Sequence, residues 1–64
     1  MAPQRGSSVR IHQAYKANHM LRVPAGAVGT VTSAYLLDDV MRYVVEFGRI
    51  EAVFYGADLE QLTG

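Results

Sequence analysis

The side chains able to do chemistry are few in this chain, and their types narrow what it can be. Cysteine is absent, which excludes disulfides, thiolate nucleophiles and Cys-based zinc sites. Two histidines, His12 and His19, are too few for a structural metal site and read as hydrogen-bonded or solvated residues. Ser7, Ser8 and Ser33 stand at no telling spacing from a His or Asp, and no nucleophile-elbow, zinc-protease, phosphate-loop or dinucleotide string occurs. No catalytic residue, metal ligand or cofactor is therefore assigned, and whether the chain is an enzyme stays open, leaning against.

What remains is a set of charged and aromatic residues whose meaning depends on register. Phe47-Gly48-Arg49-Ile50 fits a two-residue hairpin loop with Gly at the first central position of a type II′ turn. That turn pairs Phe47 with Ile50, Glu46 with Glu51, Val45 with Ala52, Val44 with Val53, Tyr43 with Phe54 and Arg42 with Tyr55. One face (Phe47, Ile50, Val45, Ala52, Tyr43, Phe54) is core. The other sets Glu46 directly against Glu51, a like-charge pair that destabilises a sheet. Three readings stand for these carboxylates: neutralisation by Arg49 or a neighbouring cation or by water, docking of a partner's Arg or Lys, or an acid–base or cation site. On the same face Val44, Val53 and Tyr55, flanked by Ala34 and Thr32, make an apolar strip. Either the long loop or N-terminus covers it, or it is a contact surface, as contiguous exposed apolar area often is. Arg42 beside Tyr55 suits a cation–π contact. The expected partner-binding set is thus Arg42, Val44, Val53, Tyr55, Glu46 and Glu51. A second candidate, a basic patch with an aromatic, is Arg10, Lys16, Arg22 and Tyr15; an isoelectric point near 6.7 argues against a dominant phosphate contact.

The elements that position these residues follow from pattern. Residues 1–7 are rich in Pro, Gly and Ser and read as a flexible tail, leaving 8–64 as one domain. Ser8 to His12 alternates polar and apolar, as a half-buried strand does, with Val9 and Ile11 inward. Residues 13–26 lack a clean period and read as a long loop, with a short helix over 14–21 as an alternative ended by Pro24. The loop would lay Tyr15, Met20 or Leu21 over one end of the core. Gly26 and Gly29 suggest a bend or bulge ahead of a strand through Tyr35. Over 36–47 the apolar spacing also fits a helix, but the β-formers Tyr43, Val44, Val45 and Phe47, the Asp38-Asp39 turn pair and Gly48 favour strands. A turn of Asp38-Asp39 alone would point Val31 and Tyr35 outward. A five-residue loop, Leu36 to Val40, puts Val31, Ser33 and Tyr35 inside and is preferred, leaving Leu36, Leu37 and Val40 at a protruding tip. Asp58 is expected to N-cap a single 3₁₀ turn that carries Leu59 inward, with Leu62 in a very short last strand.

Sixty-four residues lie near the lower size limit for folding alone, and 50% of them are hydrophobic. Without a disulfide or metal staple, good packing or self-association must stabilise the fold, and some apolar surface is expected to meet a partner. Net charge is zero but unevenly spread. Residues 1–30 carry Arg5, Arg10, Lys16 and Arg22 and no acid, whereas 31–64 carry two Arg against six acids. No apolar run is long enough to span a membrane and the N-terminus has no signal-type segment, so a cytoplasmic location is expected.

Strand, long loop, three-stranded meander, helical turn and short strand is the order of an all-β, five-stranded SH3-like barrel. The strings Arg5-Gly6-Ser7-Ser8-Val9-Arg10-Ile11, Val28-Gly29-Thr30-Val31, Val44-Val45-Glu46-Phe47 and Asp58-Leu59-Glu60 resemble the stromal E subunit of photosystem I and its SH3-like relatives. The Gly-x-Val that opens the second strand is similar to KOW-type modules. Tyr43 to Leu62 more faintly resembles type II dihydrofolate reductases, small SH3-like chains that share a pore between subunits; at their Val-Gln-Ile-Tyr motif this chain has Ala52-Val53-Phe54-Tyr55, without the Gln. The first resemblance implies docking of a redox protein or another subunit with no cofactor in the barrel, the second nucleic-acid binding, the third a catalytic site shared between subunits. Residues and resemblance together lead to the expectation of a small non-catalytic interaction module, a homo-oligomer or an accessory subunit bound to another protein. Nucleic acid is a lesser candidate partner, and no membrane partner is expected.

Overall fold

The computed structural model describes residues 3–16 and 22–63. Its strands, in chain order, are β1 (Ser8–Ile11), β2 (Tyr15–Lys16), β3 (Arg22–Val23), β4 (Val28–Leu37), β5 (Val40–Phe47), β6 (Ile50–Tyr55) and β7 (Leu59–Thr63), with a 3₁₀ turn at Gly56–Asp58 between the last two. The fold is all-β. Five strands form one antiparallel sheet in the order β6-β5-β4-β1-β7, and β2 and β3 form a separate two-stranded ribbon. The sheet is therefore open, with β6 and β7 at its edges.

Alternation along the strands builds the core. Val9 and Ile11 of β1, Val31 of β4, Tyr43 and Val45 of β5, Ala52 and Phe54 of β6 and Leu59 at the head of β7 are buried together with Val23 of β3. Period-2 patterning puts these on one side of the sheet. Strand β1 lies between β4 and β7, which is why Val9 and Ile11 are almost wholly removed from water. The long loop is pinched at its base by the ribbon, where Tyr15 pairs with Val23 and Lys16 with Arg22. Tyr15 stands edge-on to Phe54 with ring centroids 5.4 Å apart, closing one end of the core. Extended pairing replaces the short-helix alternative at 15–16; Met20 and Leu21 lie outside the described residues. Gln4 to Ser7, expected to be a loose tail, carries specific hydrogen bonds. Gly6 N–H donates to Val31 O at 2.7 Å and Val31 N–H to Ser7 O at 2.9 Å, while the buried Ser7 Oγ accepts from Gln4 N–H.

The β5–β6 hairpin has the expected register at all six pairs, from Phe47 opposite Ile50 to Arg42 opposite Tyr55. Gly48 has φ +64° while Arg49 keeps a negative φ, as a type II′ turn requires. The β4–β5 hairpin corrects the five-residue loop. Its turn is Asp38-Asp39 alone, with φ +53° and +63° and Leu37 paired with Val40, the left-handed pair of a type I′ turn that Asp tolerates. Val31 is nonetheless inward, because the ladder slips between Val31 and Ser33. Thr32 is the extra residue of a β-bulge, and the bulge reverses side-chain parity along β4. Val31 therefore faces the core at 1% exposure while Tyr35 points out at 40%, correcting the expectation that both lie inside. Asp58 is likewise not the N-cap. It is the last residue of the 3₁₀ turn and reaches back, its Oδ2 accepting from Tyr55 N–H at 3.3 Å. Leu59 does turn inward, and Leu62 lies in a five-residue strand paired with β1 through a register slip beside Val9.

Candidate interaction surface

Register places the expected contact residues in rows on the outer face of β4, β5 and β6. Successive rows are Leu37 and Val40; Tyr35, Arg42 and Tyr55; Ser33, Val44 and Val53; and Glu46 with Glu51. Val53 is 48% and Tyr55 47% exposed, and Tyr35, Leu37 and Val40 are also exposed; Val44 and Arg42 are half-buried. All six residues expected to bind a partner thus share one face. Sequence reasoning missed that Tyr35, Leu37 and Val40 extend it, because it placed Tyr35 inside. The two-residue Asp-Asp turn was the available signal, since it alone sets the parity of the arm. Leu36 and Met41 occupy the core-side face of the same hairpin, but beyond the core, so they too are exposed.

Two local chemistries mark the face. The Arg42 guanidinium carbon lies 5.2 Å from the Tyr55 ring centroid, a cation–π distance. Its Nε is shielded from water and has no hydrogen-bond partner. At the other end Glu46 and Glu51 face each other as expected. The group that answers them is Thr32, whose hydroxyl lies 3.3 Å from Glu51 Oε2 and 3.4 Å from Val44 O, so its single proton is shared or alternates between the two acceptors. The bulged residue therefore supports one carboxylate, and Glu46 and Glu51 remain exposed.

The basic patch is only partly assembled. Lys16 and Arg22 oppose each other on the ribbon and are exposed. Arg10, on the sheet, pairs with Glu60 of β7 at 3.2 Å, an exposed ion pair of the weak kind. Tyr15 is turned into the core end against Phe54 rather than offered as a stacking platform.

A cleft of about 290 Å³ lies between residues 11–15 and the β6–3₁₀ segment, with His12, Tyr15, Tyr55, Ala57 and Asp58 in its lining. Two backbone N–H groups of its wall are bonded to Asp58. His12 N–H donates to Asp58 O at 3.2 Å, and the Asp58 carboxylate caps Tyr55. Among the described residues no three His, Asp or Glu side chains converge, and no helix is long and apolar enough to cross a membrane; His19 lies outside them. The cleft was not legible in the sequence, because it depends on how the 12–16 segment crosses β6. Neither a protein-family model, nor a curated protein, nor a solved structure matches this chain.

Proposed function

We propose that this chain is a small non-catalytic protein-interaction module that acts by self-association or as an accessory subunit of a larger assembly in the cytoplasm. The outer face of β4, β5 and β6 is its contact surface. The observation that carries this reading is the run of apolar residues in successive rows, from Leu37 and Val40 through Tyr35 and Tyr55 to Val44 and Val53, with Arg42 set among them and two carboxylates bounding one side. Isolated exposed apolar residues are ordinary on a monomer, whereas contiguous ones mark an interface. Tyr35, Arg42 and Tyr55, which share one row of it, are of the residue types that anchor interfaces.

We further read the fold as an SH3-like barrel. The strand order, the long first loop and the single 3₁₀ turn before β7 support this, as does the pairing of the first strand with the last. The resemblance to photosystem E-subunit-like barrels favours docking to another subunit. Nucleic-acid binding has less support, since only Lys16 and Arg22 of the basic set stand together and unpaired with an acid in the structure.

Sedimentation of the wild type and of Val53→Lys across the micromolar range tests the proposal. Val53 is exposed, so the substitution leaves the far-ultraviolet circular dichroism unchanged, and it is expected to weaken association or capture of a partner subunit. A wild type that is monomeric, together with identical partner capture by the wild type and Val53→Lys, overturns it.

A further inference from the structure

The outer face is charge-complementary to itself, which identifies how a second copy would sit on it. Arg42, Val44 and Glu46 are alternate residues of β5 on the same face, so the cation and the acid lie two residues either side of Val44. At a rise of about 3.3 Å per residue each stands roughly 7 Å from Val44 and roughly 13 Å from the other along the backbone, and Arg42 is turned over the Tyr55 ring rather than paired with Glu46. On β6 the same spacing sets Tyr55 and Glu51 about Val53.

We propose that this face packs on the same face of a second copy, about a two-fold axis that crosses the strands at the Val44–Val53 row. This rests on the self-association form of the function proposed above. Such an axis reverses the strand direction and keeps the strand order, so Arg42 of each copy lies over Glu46 of the other, with Glu51 beside it. Val44 and Val53 stack on their own copies at the centre, where sheets pack about 10 Å apart. An isologous contact forms every such pairing twice. The other two-fold axis in the plane, along the strands, puts Arg42 near its own copy and Glu46 near its own, which like charge disfavours. Two unexplained features of the single chain are accounted for together. The half-buried Arg42 guanidinium is held over the Tyr55 ring with no carboxylate paired to it among the described residues, and the exposed Glu46–Glu51 pair has no cation paired to it among them; each copy supplies the other's counter-charge.

Charge exchange tests the register. Sedimentation equilibrium is run on the wild type, R42E, E46R and the R42E/E46R double variant, with circular dichroism on each; R42Q replaces R42E if the latter does not fold. The wild type is expected to dimerise. Each single reversal is expected to raise the dissociation constant by about 100-fold, because it juxtaposes like charges twice. The double variant regenerates both Arg–Glu contacts and is expected to return to within about tenfold of the wild type. A double variant as weak as the singles overturns the proposed axis while leaving self-association standing. Single variants unchanged beside a weakened Val53→Lys mean that the face is right and the stacking wrong. A monomeric wild type overturns the stack outright and leaves only the accessory-subunit form of the function to be decided by partner capture.

Discussion

Replacing Gly29 with alanine puts one methyl group where the fold has no room. Gly29 is a buried residue of β4 that pairs with Val9 of β1. A Cβ built there lies 2.7 Å from each of Glu46 O, Phe47 Cε1 and Val45 Cγ1. Carbon contacts are comfortable at about 3.5–4.0 Å, so the new atom is roughly 1 Å too close on three sides. None of the three neighbours yields easily. The carbonyl belongs to backbone paired with Thr30, Val45 is fully buried, and Phe47 stands edge-on to Phe54 at 5.9 Å. Its φ lies outside the left-handed region, so the cost is space and not backbone strain. Overpacking of this kind costs about 1–3 kcal/mol, and the rigid carbonyl pushes toward the upper end. Alanine also restricts the unfolded chain, which offsets about 0.4–1 kcal/mol. The net loss of about 2 kcal/mol is a large share of the roughly 3–10 kcal/mol expected for a domain this size. It corresponds to a fall in melting temperature of about 8–16 °C. Thermal and urea denaturation followed by circular dichroism measure it. Gly26 provides the comparison: its φ is +86° with nothing within 4 Å of a Cβ, so a substituent there meets strain but no wall. Loss should therefore grow steeply from Ala to Val at Gly29 and stay flat from Ala to Ser at Gly26. A Gly29→Ala protein that melts with the wild type refutes the close β4–β5 contact.

Two further outcomes follow from the turn and the bulge. The double change Asp38→Asn and Asp39→Gly suits the two left-handed positions better than two acids and removes a like-charge neighbour; it is expected to stabilise by about 1 kcal/mol in denaturant melts, and a loss of stability would mean the acids serve another contact. Thr32→Val removes the hydroxyl shared between Glu51 and Val44 O while keeping the shape, and is expected to cost about 0.5–1.5 kcal/mol; the same melts with no change would show that the bulge is held by backbone alone.

How much was legible depended on whether a local signal fixed parity. Gly48 at the head of a two-residue turn fixed the β5–β6 register, and with it every β5–β6 pair of the candidate face. At the preceding hairpin two local signals conflicted. The Asp38-Asp39 pair marked a two-residue turn, but that turn in a regular ladder sends Val31 outward, and an inward Val31 was the stronger demand. Lengthening the loop resolves the conflict on paper; the protein resolves it with an extra residue at Thr32, which carries no compositional mark. The β2–β3 ribbon was hidden for another reason: two-residue strands are too short to show a period, and tertiary packing of Tyr15 and Val23 selects their extended form. The unpartnered Arg42 Nε is invisible to sequence because it depends on the depth at which the side chain sits beneath its neighbours.

The bulge at Thr32 is also what allows a core and a contact face to be cut from the same strand. In a regular β4, one parity would run its whole length, so an inward Val31 would carry Ser33 and Tyr35 inward with it. Tyr35 has no core to enter there, because the hairpin has already passed beyond Tyr43 and Phe54. The opposite parity would expose Val31 and empty the centre of a core to which nine of the described residues contribute, which a domain this small cannot absorb. One extra residue separates the demands: Val31 faces Val45 on the buried side, and from Ser33 onward the strand turns Tyr35 and Leu37 to the outer face beside Arg42 and Val40. The same residue sends its hydroxyl toward Glu51, supporting one carboxylate of the pair that opposes Arg42 across the proposed two-fold. The bulge therefore joins the stability of the chain to the continuity of its apolar face, and a substitution that regularised the ladder would be expected to disturb both together.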